Sequence, residues 1–137
     1  MPVVERNNQV RDILKQARTI AVVGLSDKPW RDSYTVTSFM LARGYTIIPV
    51  NPTIDSVFGI TAIPSLLAAN ANVDIVNVFR RPEFVPEIVE EAISRRFPTL
   101  WLQTGIVHEV ATGRAVASGM NVIVDRCIRV AYTLLIR

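Results

Sequence analysis

A short segment near the start of the chain combines glycine, hydroxyl and cationic side chains directly after an apolar run. Gly24 ends the run Thr19–Val23, and Ser26, Lys28 and Arg31 follow within seven residues. A glycine lets the backbone turn tightly, and a helix that starts after the turn offers unpaired N–H groups and partial positive charge. Together with two full positive charges, this pattern suits a phosphate or a diphosphate.

The segment departs from the dinucleotide-binding fingerprint G-x-G-x-x-G. Leu25 and Ser26 follow Gly24, so the second glycine of the fingerprint is missing, and no third glycine follows. The same residues could instead form a tight strand-to-helix turn with both cationic side chains in solvent. Both interpretations stay open on these residues alone.

The end of the next apolar run argues against a nicotinamide cofactor. Asn51 and Pro52 follow the run Tyr45–Val50, and the next carboxylate is Asp55. NAD requires an acidic residue at this strand end, and NADP can use a nearby arginine, but none occurs here before Arg80. The amide of Asn51 can donate and accept, so it could hold an adenine edge or a ribose, although Asn-Pro is also common in turns.

Two later strand ends carry aromatic, cationic and amide side chains. One run ends at Phe79 and is followed by Arg80, and another contains Trp101 and is followed by Gln103. A ligand lying across these ends would meet a ring, positive charge, an indole and an amide. That order fits a long molecule with a charged section and a mildly apolar arm. Taken singly, Phe79 and Trp101 are more typical of a core.

Strands and helices must alternate to bring these strand ends together. Apolar spacing of three and four residues predicts helices, and continuous β-prone runs predict strands buried on both faces. The predicted helices cover 7–17, 33–43, 85–93, 107–117 and 127–136, with Asn7 or Asn8 and Ser33 as caps; the predicted strands cover 19–23, 45–50, 73–79, 99–102 and 122–124, with a short strand at 60–63 and a short helix at 65–69. This alternation predicts an α/β fold, a Rossmann-like, doubly wound and mainly parallel sheet with helices on both faces.

Composition narrows the possible functions further. Of the 137 residues 50% are apolar, which predicts one domain over 1–137, with residues 1–18 carrying a helix before the first strand. No apolar run is long enough for a membrane span, and residues 1–11 do not resemble a secretory signal, so a cytoplasmic location is expected. A net charge of +3 is too small and scattered to predict nucleic-acid binding, and one His with one Cys cannot build a structural zinc site.

Five motifs, taken in order, resemble those of the small single-domain coenzyme A-binding proteins. These proteins are similar to the CoA-binding domain of the succinyl-CoA synthetase alpha subunit and of related acyl-CoA ligases. The motifs are Gly24-x-Ser26-x-Lys28-Pro29, Pro49-Val50-Asn51-Pro52, Asp74-x-Val76-x-Val78-Phe79-Arg80-Arg81, Trp101-x-Gln103-x-Gly105 and Asp125-Arg126-Cys127. The resemblance implies coenzyme A, or an acyl-CoA, as the ligand.

The resemblance also assigns parts of the ligand to residues. It implies that the diphosphate lies along Gly24, Ser26 and Lys28, and that the adenosine is flanked by Val50, Asn51 and Pro52. It further implies that the middle of the ligand is bordered by Phe79, Arg80 and Val85. The pantetheine arm is expected to be approached by Trp101, Gln103, Gly105 and Ile106. Leu25 and Arg31 complete the expected set within the loop. The chain departs from the family at Trp30, where a smaller residue is common, and in lacking the Glu-His that often follows Asp-Arg-Cys.

A binding module is favoured over an enzyme. A ligase of this type needs a phosphorylatable histidine and a nucleotide-grasp partner that 137 residues cannot include, and His108 is more typical of a helix cap than of a general base. The alternatives are an NAD(P)-dependent oxidoreductase of the same fold, and a detached subunit that needs a ligase-like partner chain. A protein partner or a homo-oligomer is therefore also expected as an option. Cys127 could form a mixed disulfide with the CoA thiol, or could simply be a small buried side chain.

Overall fold

The predicted alternation of strands and helices is present in the computed structural model, which describes residues 3–136. The outermost residues of the predicted domain, 1, 2 and 137, lie outside the described residues. The helices are α1 (Asn7–Gln16), α2 (Asp32–Ala42), α3 (Val85–Ser94), α4 (Glu109–Ala117) and α5 (Ile128–Leu135). The strands are β1 (Thr19–Val23), β2 (Thr46–Val50), β3 (Ser56–Val57), β4 (Ile60–Thr61), β5 (Ile75–Val78), β6 (Thr99–Leu102) and β7 (Asn121–Ile123).

Five of the strands form one parallel sheet in the order β2-β1-β5-β6-β7. At the carboxyl edge Val23 of β1 lies between Val50 of β2 and Val78 of β5. The chain leaves β1 toward β2 and then crosses back over β1 to β5, so the strand order switches direction between β1 and β5. Ligands of doubly wound sheets bind at such a switch point. This topology confirms the predicted Rossmann-like α/β fold.

Two apolar layers cover the sheet because successive side chains of a strand point to opposite faces. In β1, Ala21 and Val23 pack in the layer that α3 and α4 cover, whereas Ile20 and Val22 pack in the layer that α1, α2 and α5 cover. Trp101 of β6 belongs to the second layer and has no exposed surface. The continuous apolar runs are therefore strands buried on both sides, as predicted.

The expected helix caps are wrong at both positions. Helix α2 begins one residue before Ser33, after Arg31, and the Ser33 hydroxyl accepts a hydrogen bond from the backbone N–H of Ser26 at 3.0 Å. Helix α1 begins after Arg6, without a side-chain cap, rather than after Asn7 or Asn8. Serine favours helix starts, but here the hydroxyl is used to hold the preceding loop.

The crossover from β2 to β5 contains a hairpin that the sequence did not predict. Strands β3 and β4 are antiparallel, and the two residues between them, Phe58 and Gly59, both have positive φ, 56° and 72°. Such turns usually carry Asn or Asp before the glycine, so a phenylalanine hides the signal. The Phe58 ring lies 4.5 Å from the ring of Tyr34, a contact that offsets the strain.

Among residues 3–136, every helix is too short or too polar to span a membrane.

Tyr45 gives the fold a measurable dependence on alkaline pH. Its hydroxyl donates to the backbone carbonyl of Leu14. Burial, with a smaller contribution from Tyr132, raises the pKa of Tyr45 from 10.0 to about 12. Between these values the unfolded chain loses the phenolic proton and the folded chain keeps it, so the stability that is present below pH 10 is lost as the pH rises.

We therefore expect the free energy of unfolding to fall by about 2 kcal/mol between pH 10 and pH 12 because of this residue. Urea unfolding of the native chain and of Tyr45→Phe at a series of pH values measures the effect. Tyr45→Phe should lack this fall, whereas Tyr34→Phe, which keeps Tyr45, should retain it. Equal pH dependence in all three proteins would contradict the assignment.

Candidate functional site

Gly24 brings two strand ends into direct backbone contact at the switch point. Its φ is +86°, and its N–H donates to the carbonyl of Val50 at 2.8 Å. A Cβ atom at this position would lie 2.9 Å from the carbonyl oxygen of Phe79 and 2.9 Å from Cδ of Arg80. Both the dihedral angle and the lack of space require glycine here. The turn therefore holds the start of the β1–α2 loop against the end of β5.

Two serine hydroxyls organise the β1–α2 loop, which comprises residues 24–31. Ser33 Oγ accepts from the N–H of Ser26, and Ser26 Oγ accepts from the N–H of Lys28, each at 3.0 Å. The N–H groups of Ser26 and Lys28 thus already donate to Ser33 of α2 and to Ser26, respectively. Each hydroxyl still has a proton to donate, since both act only as acceptors in these bonds.

A cleft of about 830 Å³ lies over this loop. Its lining combines the loop with the residues that follow β2: Gly24, Ser26, Asp27, Lys28, Trp30, Arg31, Asp32, Ser33, Asn51, Thr53, Ile54 and Phe79. Lys28 and Arg31 supply positive charge from exposed side chains, and Lys28 Nζ lies 3.9 Å from a carboxylate oxygen of Asp27. An exposed pair at this distance is weak, so Lys28 can turn toward a bound anion at little cost.

Asn51 fixes the position of the β2 end relative to the loop. Its Nδ2 donates to the carbonyl of Leu25 at 3.0 Å, and its Oδ1 accepts from the N–H and the hydroxyl of Thr53 at 2.9 and 2.7 Å. The amide is therefore used for structure on both sides. The site has no carboxylate at this strand end, so the feature that would hold a ribose diol of NAD is missing here.

A second, more apolar pocket of about 680 Å³ adjoins the cleft. Phe79 and Asp32 line both spaces, so the cleft and this pocket lie next to each other at the carboxyl edge of the sheet. The other lining residues are Thr35, Val36, Gln103, Thr104, Ile106, Cys127, Arg129, Val130, Thr133 and Leu134. We call this second space the arm pocket. The loop at one end is charged and the pocket at the other end is apolar. This arrangement matches a ligand that has one charged part and one apolar part.

Gln103 presents a hydrogen-bond donor to the arm pocket. Its Oε1 accepts from Nδ2 of Asn77 and from the backbone N–H of Ile128, both at 3.0 Å. The backbone N–H can only donate, so the oxygen of the Gln103 amide must face it, and the Nε2 group turns the other way. Gln103 is only 5% exposed and lines the arm pocket, and within residues 3–136 its Nε2 has no acceptor.

The structure places four of the expected contact residues beneath the site rather than on it. Leu25, Val50, Val85 and Trp101 are buried in the apolar layers. The Trp101 indole donates to the carbonyl of Arg126 at 2.9 Å. This corrects the expectation that its side chain approaches the ligand arm. Trp101 instead ties the end of β6 to the segment before α5.

Three further expected residues, Arg80, Pro52 and Gly105, line neither the cleft nor the arm pocket. Arg80 is half-buried, and its guanidinium stacks 3.9 Å from the centre of the Phe84 ring, while Pro52 is exposed beyond Asn51. Gly105 is exposed, and its N–H donates to Asp125 at 2.6 Å. Sequence reasoning missed the roles of Thr53, Ile54, Val130 and Leu134, because nothing in their types shows that the hairpin crossover and α5 border the site.

His108 and Cys127 are placed differently with respect to the site. His108 is the N-cap of α4, and its Nδ1 accepts from the N–H of Ala111 at 3.1 Å, which is the capping role rather than the general-base role. Cys127 precedes α5, is half-buried and lines the arm pocket. A mixed disulfide between Cys127 and CoA remains a prediction, which intact-mass measurement after incubation with CoA disulfide would test.

Comparison with known proteins decides the family. A family model described as the CoA binding domain matches residues 18–133. The chain belongs to this family. The match spans β1 to most of α5 and includes every motif on which the resemblance was based. Family membership supports CoA binding in general.

Three relatives illustrate how widely the fold occurs. The uncharacterized protein YneT of Bacillus subtilis (strain 168) is 45% identical over 126 residues, which cover 92% of this chain and 93% of YneT. The structure of cell-free ID.343 from Thermus thermophilus has 34% identity and a TM-score of 0.92, over 96% of this chain and 99% of that one. A dinucleotide-forming acetyl-coenzyme A synthetase from Ca. Korarchaeum cryptofilum shares the fold, with 22% identity and a TM-score of 0.66, over 76% of this chain and 25% of that one.

The close approach at Gly24 predicts a large effect of a single methyl group. Gly24→Ala should destabilise the fold by about 2–4 kcal/mol, because it adds left-handed strain and an overlap with the Phe79 carbonyl. Gly113→Ala is the matched control: Gly113 lies in α4 with open space around it, so the substitution should stabilise by about 0.5–1 kcal/mol. Urea unfolding measures both, and a neutral Gly24→Ala would contradict the packing described here.

Proposed function

We propose that the protein is a non-catalytic binding module that holds coenzyme A, with the diphosphate on the β1–α2 loop and the pantetheine arm in the arm pocket. The observation that carries this proposal is that the charged cleft and the apolar pocket lie side by side and share Phe79 and Asp32 in their walls. The expected cytoplasmic location belongs to the same proposal.

The diphosphate would bind between the loop and the start of α2. Lys28 and Arg31 provide charge, and the hydroxyls of Ser26 and Ser33 have protons that can turn toward phosphate oxygens. The first N–H groups of α2, those of Asp32 and Ser33, have no backbone partner within the helix, because the first turn of a helix leaves them free. All of these donors belong to residues that line the cleft.

The adenosine would lie toward the β2 end of the cleft. Asn51 is held by Leu25 and Thr53, so it forms a fixed wall rather than a flexible arm. Ile54 adds an apolar surface, and the indole of Trp30 is 73% exposed on the same cleft. An exposed indole beside an apolar wall suits a flat heteroaromatic ring. Trp30, which stands where a smaller residue is common in the family, would then add contact area with the adenine base.

The arm would enter the arm pocket past Phe79 and meet the Nε2 group of Gln103. This donor has no acceptor among residues 3–136, and pantetheine offers amide carbonyls that can accept from it. The only histidine, His108, caps α4 and does not line the pocket, so it is not placed to act on the ligand. This arrangement supports binding rather than catalysis.

Thermal unfolding with added ligand tests the proposal. CoA at about 100 times its Kd should raise the free energy of unfolding by about 2.7 kcal/mol, which is a rise in Tm of several degrees for a chain of this size. NAD and NADP at the same concentration as CoA should raise it less. Lys28→Ala should weaken CoA binding about fivefold, and Lys15→Ala, an exposed lysine on α1 away from the cleft, should not. The proposal would fail if no CoA species shifted Tm, and a larger shift with NAD or NADP would favour the oxidoreductase alternative.

Tryptophan fluorescence tests the placement of the base. The chain contains two tryptophans, of which Trp30 is exposed on the cleft and Trp101 is fully buried. Stacking of adenine on Trp30 should quench its emission when CoA is added. The Trp30→Phe variant reports only Trp101, so CoA should leave its emission unchanged. Loss of emission from Trp101 on CoA binding would place the ligand elsewhere.

A further inference from the structure

We propose that the arm pocket extends into a groove between α2 and α5 that accepts the acyl chain of an acyl-CoA thioester. This inference rests on the proposed function, because the arm must first reach Gln103. It deepens that function by naming the ligand class: CoA thioesters of plain hydrocarbon acyl groups, in preference to free CoA.

The groove follows from the way the two helices leave the sheet. Both α2 and α5 begin at the carboxyl edge, and they pack side by side on the same face of the sheet. Thr35 and Val36 line the pocket from α2, and Val130 and Leu134 line it from α5. A chain that starts at the thiol end of the arm would therefore run away from the edge, between these two helices.

The α5 side of the groove carries apolar surface that the fold itself does not cover. Val130 is 53% and Leu134 is 56% exposed, and their spacing of four residues places them on one side of the helix. The core contacts of α5 are made by Ile128 and Ala131, which are buried. Val130 and Leu134 are thus not needed for packing against the sheet. The thiol of free CoA would leave these two side chains in water, whereas the alkyl chain of an acyl-CoA would cover them.

Gln103 provides the independent indication that a carbonyl belongs in this pocket. Gln103 is buried, with 5% of the residue exposed, and its side-chain oxygen is fixed by Asn77 and by the N–H of Ile128. The Nε2 group faces the pocket without an acceptor among residues 3–136. A thioester carbonyl, or the amide carbonyl next to it, satisfies this donor. A hydrocarbon without a carbonyl would not.

The charges around the groove favour an uncharged acyl end. Asp32 and Arg129 line the pocket with opposite sign, and the Arg129 guanidinium lies 5.0 Å from the centre of the Phe39 ring. These two opposite charges give the lining no excess positive charge that would attract a terminal carboxylate. The volume of about 680 Å³ is in the range of pockets that enclose a whole small ligand, so it can hold the arm and a short acyl chain.

Isothermal titration with CoA, acetyl-CoA, butyryl-CoA and hexanoyl-CoA under reducing conditions tests the groove. Affinity should rise about two- to fourfold for each methylene from acetyl to hexanoyl, as expected for partial burial of a hydrocarbon chain. Val130→Asp should remove most of this rise. Val110→Asp is the matched control, because Val110 is a valine 81% exposed on α4, away from the pocket, and this variant should keep the full rise.

The outcomes separate the two proposals. If CoA binds and its thioesters bind no more tightly as the chain grows, the groove is wrong and the CoA site stands. The groove is also wrong if Val110→Asp removes the increase of affinity with chain length as completely as Val130→Asp does. If neither CoA nor any thioester binds the native chain, the proposed function fails and the groove fails with it. Should Val130→Asp not fold, Val130→Ser makes the same comparison with a smaller expected loss.

Discussion

The contact between the backbone after β1 and the end of β5 determines the shape of the candidate site. At Gly24 the carbonyl of Phe79 and the side chain of Arg80 lie so close that no Cβ atom fits. This contact occurs where the strand order switches direction, which is where a doubly wound sheet leaves a crevice. Because Phe79 lies at the same point, the charged cleft and the arm pocket meet there. The adjacency of the two spaces, on which the CoA proposal depends, is therefore a consequence of local backbone packing.

A polar chain inside the second apolar layer positions the other half of the site. Asn77 in the centre of β5 donates to Gln103, and Gln103 also accepts from the first N–H of α5. Buried polar groups are expensive unless they are paired, and here the pairing decides which way the Gln103 amide faces. One fully satisfied oxygen thus leaves one donor directed at the pocket. The orientation of that donor is set by the backbone of Ile128 rather than by the ligand.

The sequence was sufficient for the sheet but not for every contact of the site. Continuous β-prone runs and regular apolar spacing indicated the parallel strands and the helices, because burial on both faces leaves a pattern in each segment separately. Ser33 was misassigned as a cap since its preference for helix starts is local, whereas its actual partner, the N–H of Ser26, depends on how the loop folds back. Trp101 stood at a strand end in the sequence, but a side chain's face follows from strand register, which places it in the core. The Phe58-Gly59 turn gave too weak a signal for its hairpin.

The two halves of the site use forces that respond differently to solution conditions. Lys28 and Arg31 are exposed, so in the proposed complex an ion atmosphere of about 8 Å at physiological salt would screen their attraction for a phosphate. The arm pocket would act through burial of apolar surface, which salt does not weaken. Rising ionic strength should therefore reduce the contribution of the loop and leave that of the pocket and of the groove between α2 and α5. A ligand that occupies only the loop would lose its affinity in salt, whereas one that also fills the pocket would keep a part of it that depends on the length of its apolar arm.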